Sequence, residues 1–439
     1  MSGRKLFFLN TNRINMMITN EGHFMKNRII DKNMFQNFEV KACWFLNDKQ
    51  NTGSYGLLKY SAGQDAIVEI SPAFCNEAEQ FNSPSPYDMY GISERGEIIR
   101  GIGYRVGSSF NHPGLSIERI QLFDFSIDNF RDDSFSPKLV DFSATDFNYW
   151  LPNQKVSIPN KGLGIIVEPP KAVEIGKIKY DNVDYTLKIG YANHSEPRNY
   201  NHDFNLRMNT FLMLETDQTL EKNKTEQLIQ RIIEMYEIIA EPASLKDVCY
   251  IEGNKKRKLF LNPKYKNFLD NKYSPNLFFL DYNDVQSELL NVINNWVSSS
   301  KELQLLVDDY LLTVNYRSVI ENDLVNYTQG IESYFRNEHL TLRNKINKFI
   351  EELSESYREL LAEHVGNTDD WIEKLVNTRV FLTHGDREKM AVSNPYKLVQ
   401  MTKIFGFMVR IFILQKLGIT IDKPKILNKF KNVLTTHYY

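Results

Sequence analysis

The sequence has few cysteines and no long hydrophobic run. Its three cysteines, Cys43, Cys75 and Cys249, are odd in number and far apart, a pattern that excludes a disulfide framework and a zinc ribbon. No window reaches about eighteen apolar residues, the minimum for a membrane helix. The apolar run in the opening MSGRKLFFLNTNRINMM is too short for the core of a signal peptide. The sequence therefore predicts a protein of the reducing cytoplasm without a membrane partner.

Neither sign of charge is in excess. The chain has 53 Lys and Arg residues and 55 Asp and Glu residues, for a net charge of −2. Binding along a nucleic-acid backbone needs clustered basic residues, so any RNA contact must be local. The densest basic stretch contains Lys255, Lys256, Arg257 and Lys258 next to Phe260. Basic residues interleaved with aromatics are typical of a single-strand RNA contact and also of a solvated hairpin, and both interpretations stay open.

Signatures of metal and serine hydrolases are also missing, because the chain has no His-Glu-x-x-His sequence and no recognisable Ser/His/Asp motif. No metal or cofactor is therefore predicted. With 42% hydrophobic and 25% charged residues, the chain has the composition of a folded globular protein of two or three domains.

The hydrophobic period changes along the chain. Short β-branched and aromatic runs separated by turns extend to about residue 215, followed by a helix up to Pro242 and a hairpin turning at Glu252 to Asn254. From Asn283 onward the period is helical. We therefore predict an α+β multidomain protein, with a β-rich N-terminal domain (1–280) and an all-α C-terminal helical bundle (283–439).

Helix boundaries in the second half follow from capping signals. One helix is predicted over 319–336, one over 340–364, and one of about fourteen residues after Asp369 and Asp370, ending at Gly385. The last long helix is predicted to start at Ser393 or Asn394, with Pro395 in its first turn, and to end at Gly418.

Arg379 and His384 are the strongest catalytic candidates, because they place a permanent cation and an acid/base group near one helix end. Arg105 with His112 and Arg358 with His364 have similar spacing, but their surroundings predict surface residues. Arg379 falls within an apolar stripe formed by Ile372, Leu375, Val376 and Leu382. A guanidinium there costs free energy unless it is paired or used. The alternative is a structural Arg379 bonded to a carboxylate such as Glu332, with His384 as a helix-capping residue.

The sequence NTRVFLTH, on a late helix of a five- or six-helix array, resembles the HEPN domain of ApeA-like anti-phage defence proteins. ENDLVNYTQGIESYFR, two helices earlier, fits the same pattern. FEVKACWFL, GSYGLLKYS and DAIVEI in the first half are similar to the β-rich domain that precedes this type of HEPN domain. One departure is Val380, since a polar residue often follows the arginine in such motifs; Asn377 or Thr383 is then the candidate for that polar contact.

This resemblance implies an endoribonuclease that limits phage infection, with Arg379 and His384 as its catalytic residues. It also implies that the β-rich domain senses a phage-derived trigger or regulates the enzyme. A homodimer or higher homo-oligomer with a composite site is implied as well. Arg379 and His384 project about 140° apart on one helix, and the apolar sequence IFGFMVRIFILQKLG is a candidate dimer contact. A non-catalytic binding protein that uses a HEPN-like bundle for dimerisation remains the alternative.

Overall fold

The computed structural model describes residues 28–47, 49–74, 86–106, 110–112, 115–131, 134–152, 171–198, 203–240, 242–261, 278–315, 318–386, 392 and 394–436. Its strands are β1 (Phe38–Leu46), β2 (Lys49–Tyr60), β3 (Ala66–Ser71), β4 (Tyr87–Ser93), β5 (Ile98–Arg105), β6 (Phe110–His112), β7 (Leu115–Asp128), β8 (Leu139–Ala144), β9 (Val173–Tyr180), β10 (Val183–Arg198), β11 (Asp203–Glu215), β12 (Leu245–Glu252) and β13 (Lys255–Phe260).

Its helices are α1 (Phe147–Trp150), α2 (Lys222–Ile239), α3 (Tyr282–Val285), α4 (Leu289–Val297), α5 (Lys301–Asn315), α6 (Ile320–Tyr334), α7 (Leu342–Glu351), α8 (Glu355–Val365), α9 (Thr368–His384), α10 (Pro395–Leu417) and α11 (Pro424–Thr435). These elements group into two compact units. Unit 1 contains the described parts of 1–133 and 255–262, and unit 2 those of 134–254 and 263–439.

Unit 1 is an antiparallel β-barrel. Its strands follow the order β3, β2, β1, β4, β5, β7, and β3 pairs with β7 from Ala66↔Leu122 to Ile70↔Glu118, which closes the sheet. β13 adds to β7. Alternation of side chains along each strand fills the interior, so that β1 buries Ala42, Trp44 and Leu46.

Unit 2 combines five strands with the helices. Its strands lie in the order β12, β8, β11, β10, β9. The predicted helix before Pro242 is α2, which buries Leu228, Ile232, Met235 and Ile239 on one face. The Trp296 indole N–H of α4 donates to the backbone oxygen of Arg231 in α2 at 2.8 Å. The predicted β-rich first half and helical second half are confirmed. The domain boundary between 280 and 283 stays a prediction, and the compact units divide the chain at other positions.

Helix α10 is the core of the helical part. It has the predicted start, with Asn394 accepting from the Tyr396 N–H and Pro395 in the first turn, and the predicted end at Gly418. It is long and apolar enough to cross a membrane by length and composition, but 67% of its apolar window is buried inside the folded chain. Phe405, Phe412 and Leu417 have no exposed surface, as in the core helix of a globular unit.

Arg410 connects α10 to the end of α2. Its Nε and Nη2 donate to the backbone oxygens of Ile238 and Ala240 at 2.8 and 2.9 Å, and its guanidinium lies 3.8 Å from the centre of the Phe279 ring. These carbonyls are among the last ones of α2, which lack partners within the helix. Arg410 therefore caps a helix that precedes it by about 170 residues in the chain.

Two sequence predictions need correction. The single helix over 340–364 is wrong: α7 ends at Glu351 and α8 begins at Glu355. The Ser354 hydroxyl between them donates to Asp422 at 2.8 Å, a tertiary contact that no local pattern reveals. Arg105 is not a surface residue, because its side chain is 15% exposed and pairs with the fully buried Glu118 at 3.7 Å. The side chain of His112 lies outside the described residues.

The cysteine prediction is partly covered by the described residues. Neither Cys43 nor Cys249 is in a disulfide, and Cys75 lies outside the described residues. Two lysines near the C-terminus form intramolecular contacts: Lys423 pairs with Glu288 at 2.9 Å and Lys425 with Asp284 at 2.6 Å. These pairs attach α11 to α3 and the turn after it, and the sequence analysis did not predict α11.

Candidate active site

Helix α9 carries the Arg379 and His384 motif. Its N-cap is Asn367, whose side-chain oxygen accepts from the N–H groups of Asp369 and Asp370, so the helix begins one turn earlier than predicted and has 17 residues. At the other end Gly385 adopts φ 68° and its N–H donates to Phe381 O at 2.8 Å. This left-handed residue stops the helix. The prediction that the motif lies at a helix end is confirmed.

Burial changes along α9 just before the motif. Trp371, Ile372, Leu375 and Thr378 are buried, whereas no residue from Arg379 to His384 is buried. The predicted apolar stripe therefore packs in the first half of the helix only, and Leu382 is half-buried. Within unit 2, the C-terminal end of α9 is therefore exposed and accessible to a ligand.

Arg379 forms an ion pair with Glu332 of α6. Its Nη2 lies 2.7 Å from Glu332 Oε2, and the two side chains are 21% and 33% exposed. The Arg379 Nε is buried and has no hydrogen-bond partner among the described residues. Because a guanidinium has five N–H donors, the pair with Glu332 leaves donors for a second anion.

Glu332 is also next to a buried lysine that the sequence analysis missed. Lys345 of α7 is 9% exposed, and its Nζ donates to the backbone oxygen of Glu332 at 3.0 Å. A lysine on the buried side of an amphipathic helix is the signal that could have identified it, because such a charge needs a partner. Lys345 fixes the end of α6 that positions Glu332 and, through it, Arg379.

His384 is the last residue of α9 and is exposed. No hydrogen bond or ion pair involves its ring in the part of the chain that the structure describes. Because α9 is helical up to this residue, the side chains of Arg379 and His384 project about 140° apart and about 7.5 Å apart along the axis. One copy of the motif therefore does not aim both groups at a single phosphate.

The two supporting residues lie on different faces of α9. Thr383, four residues after Arg379, shares its face, but its hydroxyl donates to the backbone oxygens of Arg379 and Val380 at 2.9 and 3.3 Å. Asn377 is half-buried and, seven residues before His384, lies on the His384 face. Asn377 therefore lies on the His384 side of the helix, and Thr383 lies on the Arg379 side.

The apolar segment expected to form a dimer contact is covered by its own chain. Ile404, Phe405, Met408, Val409, Ile411 and Phe412 of α10 are all at most 2% exposed. The expectation that IFGFMVRIFILQKLG supplies spare apolar surface is therefore wrong. The apolar surface of this segment is buried within unit 2. The dimer prediction therefore rests only on the geometry of α9, where Arg379 and His384 project in different directions.

The basic stretch of unit 1 does not form a continuous cationic surface. Lys258 is 5% exposed, and Arg257 donates from Nε and Nη2 to the two carboxylate oxygens of Asp128, at 2.8 Å each. Of the four residues, Lys256 alone is exposed. The strand alternation of β13 thus turns part of the predicted RNA contact inward; Lys264 and Lys266, which follow it, lie outside the described residues.

Two family models match this chain. The model of ApeA N-terminal domain 1 matches residues 39–296, which is more than half of the 439 residues, and the model of Apea-like HEPN matches residues 325–423. The chain belongs to the ApeA family. The HEPN match includes Glu332, Lys345, Arg379 and His384, and HEPN domains are associated with nuclease activity. Comparison with curated proteins and with solved structures finds no match.

Proposed function

We propose that this ApeA-family chain is a metal-independent endoribonuclease of anti-phage defence, whose N-terminal region senses or regulates and whose HEPN domain cleaves RNA. The observation that carries the proposal is the accessible end of α9. There Arg379 has remaining N–H donors and His384 has an exposed ring, inside the region that matches the HEPN family. A phage-derived trigger would act through the N-terminal region.

The proposed chemistry needs one proton acceptor, one proton donor and one cation. The His384 imidazole takes the proton of a ribose 2′-OH, whose oxygen attacks the adjacent phosphorus. The bond from phosphorus to the 5′ oxygen breaks, and a second imidazole, protonated, gives its proton to that oxygen. Arg379 holds the phosphate and stabilises the charge on its equatorial oxygens. The products are a 2′,3′-cyclic phosphate and a 5′-hydroxyl.

A homodimer supplies the second imidazole. One chain offers a single motif, and its arginine and histidine diverge around the helix axis. Two α9 ends facing each other across a two-fold axis place His384 of one copy opposite Arg379 of the other. In this arrangement the base comes from one subunit and the acid from its partner.

One observation favours a second, non-catalytic function. Arg379 already has a carboxylate partner at 2.7 Å, and His384 is in the last turn of α9, where a cation interacts favourably with the helix dipole. Both residues would then stabilise a HEPN-like bundle that binds a ligand without cutting RNA. The two functions predict different results for substitution of Arg379 and His384. In a nuclease the substitutions abolish cleavage, whereas in a binding protein they affect only the stability of the fold.

The test is incubation of the purified chain with total RNA in EDTA, followed by analysis of the fragment ends. We expect 2′,3′-cyclic phosphate and 5′-hydroxyl ends, and their loss in Arg379→Ala and His384→Ala. Arg358→Ala and His364→Ala are matched controls, because this second arginine and histidine are exposed on α8 of the same unit. The controls should cleave as the wild type does.

Expression of the same variants in growing cells gives an independent readout. A nuclease should slow growth, and the Arg379 and His384 variants should relieve that effect. Cleavage that strictly requires added magnesium would contradict the metal-free mechanism. Equal growth with the wild type and all variants, together with intact RNA, would favour the binding function. Full activity from a species that sediments as a monomer would exclude the composite site.

A further inference from the structure

The turn between β4 and β5 of unit 1 borders a cavity of about 400 Å³, lined by Arg28, Arg95, Gly96, Glu97 and Asn129. This volume is within the range of pockets that take small ligands, roughly 300–1,000 Å³. The cavity belongs to the barrel unit and is independent of the helical motif. Its lining is rich in arginine.

A third arginine reaches the same turn. Gly96 has φ +80°, and a Cβ built on it would lie 3.4 Å from Nη2 of Arg131. The left-handed backbone favours glycine, and the missing side chain leaves room for the Arg131 guanidinium. The chain after β7 therefore brings Arg131 next to the turn that contains Arg95.

The single carboxylate of the lining is already neutralised. Glu97 is 3% exposed, accepts from the Ile30 N–H at 3.2 Å and lies 3.7 Å from Nε of Arg28. These two charges, Arg28 and Glu97, offset each other. Arg95 and Arg131 are exposed, and among the described residues no carboxylate lies within 4 Å of either guanidinium. In the described part of the chain, Arg95 in the lining and Arg131 beside the turn are therefore two positive charges without a carboxylate partner.

The backbone of the turn offers no competing anion site. The N–H groups of Arg95 and Glu97 donate to the Ser93 hydroxyl, and that of Gly96 donates to the Ser93 oxygen. Guanidinium groups are therefore the donors that remain. The buried Asp128, which precedes Asn129 in the chain, is paired with both Arg100 and Arg257.

We propose that this cavity binds a small ligand through its phosphate groups, with Arg95 and Arg131 as the phosphate-binding residues. Arginine suits this task because its planar fork donates two parallel hydrogen bonds to phosphate oxygens. A mononucleotide or the phosphorylated end of a nucleic acid presents this chemistry at a size that fits the cavity. The proposal does not depend on nuclease activity.

The test is calorimetric titration of the full chain with inorganic pyrophosphate, ADP, and a short oligonucleotide with either a 5′-phosphate or a 5′-hydroxyl. We expect binding of the phosphate-bearing probes and a loss of affinity of about tenfold or more, equivalent to about 1.4 kcal/mol, in Arg95→Gln/Arg131→Gln. Arg119→Gln is the matched control, since Arg119 is exposed on the same barrel and pairs with Glu69 instead. Circular dichroism checks that each variant is folded.

The probes distinguish the sources of the phosphate. Binding of ADP favours a free nucleotide, and binding of the oligonucleotide only with a 5′-phosphate favours a nucleic-acid end. Binding of both oligonucleotides alike would contradict the proposal, because it indicates contacts along the backbone. No binding of any probe, or the same affinity in the double variant as in the wild type, would also overturn it.

Discussion

Arg379 and Glu332 provide a quantitative test of whether the motif arginine is catalytic or structural. Exposed ion pairs contribute about 0.2–1 kcal/mol, and breaking a buried pair costs about 3–5 kcal/mol. With side chains 21% and 33% exposed and an N–O distance of 2.7 Å, this pair is between those cases. We expect a coupling of about 1–2 kcal/mol in a double-mutant cycle of Arg379→Ala and Glu332→Ala.

The measurement is urea unfolding followed by circular dichroism at a helix wavelength, for the wild type, both single variants and the double variant. Lys416 and Glu352 are a matched control pair, since their N–O distance is also 2.7 Å and their side chains are 29% and 28% exposed. Their cycle should give a similar coupling. Their variants should leave RNA cleavage unchanged, because both residues are outside the motif.

Arg379→Lys separates charge from geometry. A lysine keeps the attraction to Glu332, so most of the stability should remain. Its ammonium lacks the planar set of donors with which a guanidinium binds a carboxylate and a phosphate at the same time. We therefore expect a large loss of cleavage with little loss of stability. Wild-type cleavage by Arg379→Lys would refute the proposed clamp. A coupling above about 3 kcal/mol, with unfolding of Arg379→Ala, would assign the arginine a structural role.

Two further predictions concern unit 2. Burial, followed by the charge of Asp308, raises the pKa of Asp309 from 3.8 to about 6. The native state therefore binds this proton more tightly than the unfolded chain, and stability should fall as pH rises from about 4 through 6. Asp309→Asn should then stabilise the native state by about 1 kcal/mol at pH 7.5, a value that is reduced because the side chain is partly exposed. At pH 3 the substitution should have no effect. Equal shifts in melting temperature at both pH values would contradict this prediction. Arg410→Ala should cost about 2–3 kcal/mol, because two carbonyls of α2 lose a charged donor. Lys403→Ala, on the exposed side of the same helix, is its control in urea unfolding, and a loss below about 0.5 kcal/mol would argue against the capping role.

Local signals predicted the ends of α9 and α10 well. Gly385 and Gly418 have positive φ at the positions expected for helix stops, and Asn394 and Pro395 begin α10 as expected. These features depend on a few neighbouring residues, so sequence alone reveals them. The Arg379–Glu332 pair was foreseen as one of two interpretations, since a guanidinium on an apolar stripe requires a partner or a ligand.

Long-range contacts limited the rest of the prediction. Ile346, Phe349, Leu353 and Tyr357 keep the spacing of one helical face across this position, so nothing local indicates that the helix stops. The stop depends on the Ser354 contact with Asp422. Closure of the barrel depends on pairing between β3 and β7, about fifty residues apart in the chain. The sequence predicts Arg257 on a basic surface because its partner in the fold, the buried Asp128, is 129 residues away in the chain. Patterns within one segment do not show which distant segment covers it.

The position of β13 has a consequence for synthesis of the chain. Unit 1 takes this strand from residues 255–260, long after its other strands have been translated. Until then, Phe125 lacks the Phe260 ring that stacks on it with centres 4.8 Å apart, and Asp128 lacks Arg257. At typical translation speeds this interval is on the order of ten seconds. The barrel therefore completes its core only after residues 134–254 of unit 2 have been translated, and a chain shortened to its first 133 residues would present an unfinished sheet edge.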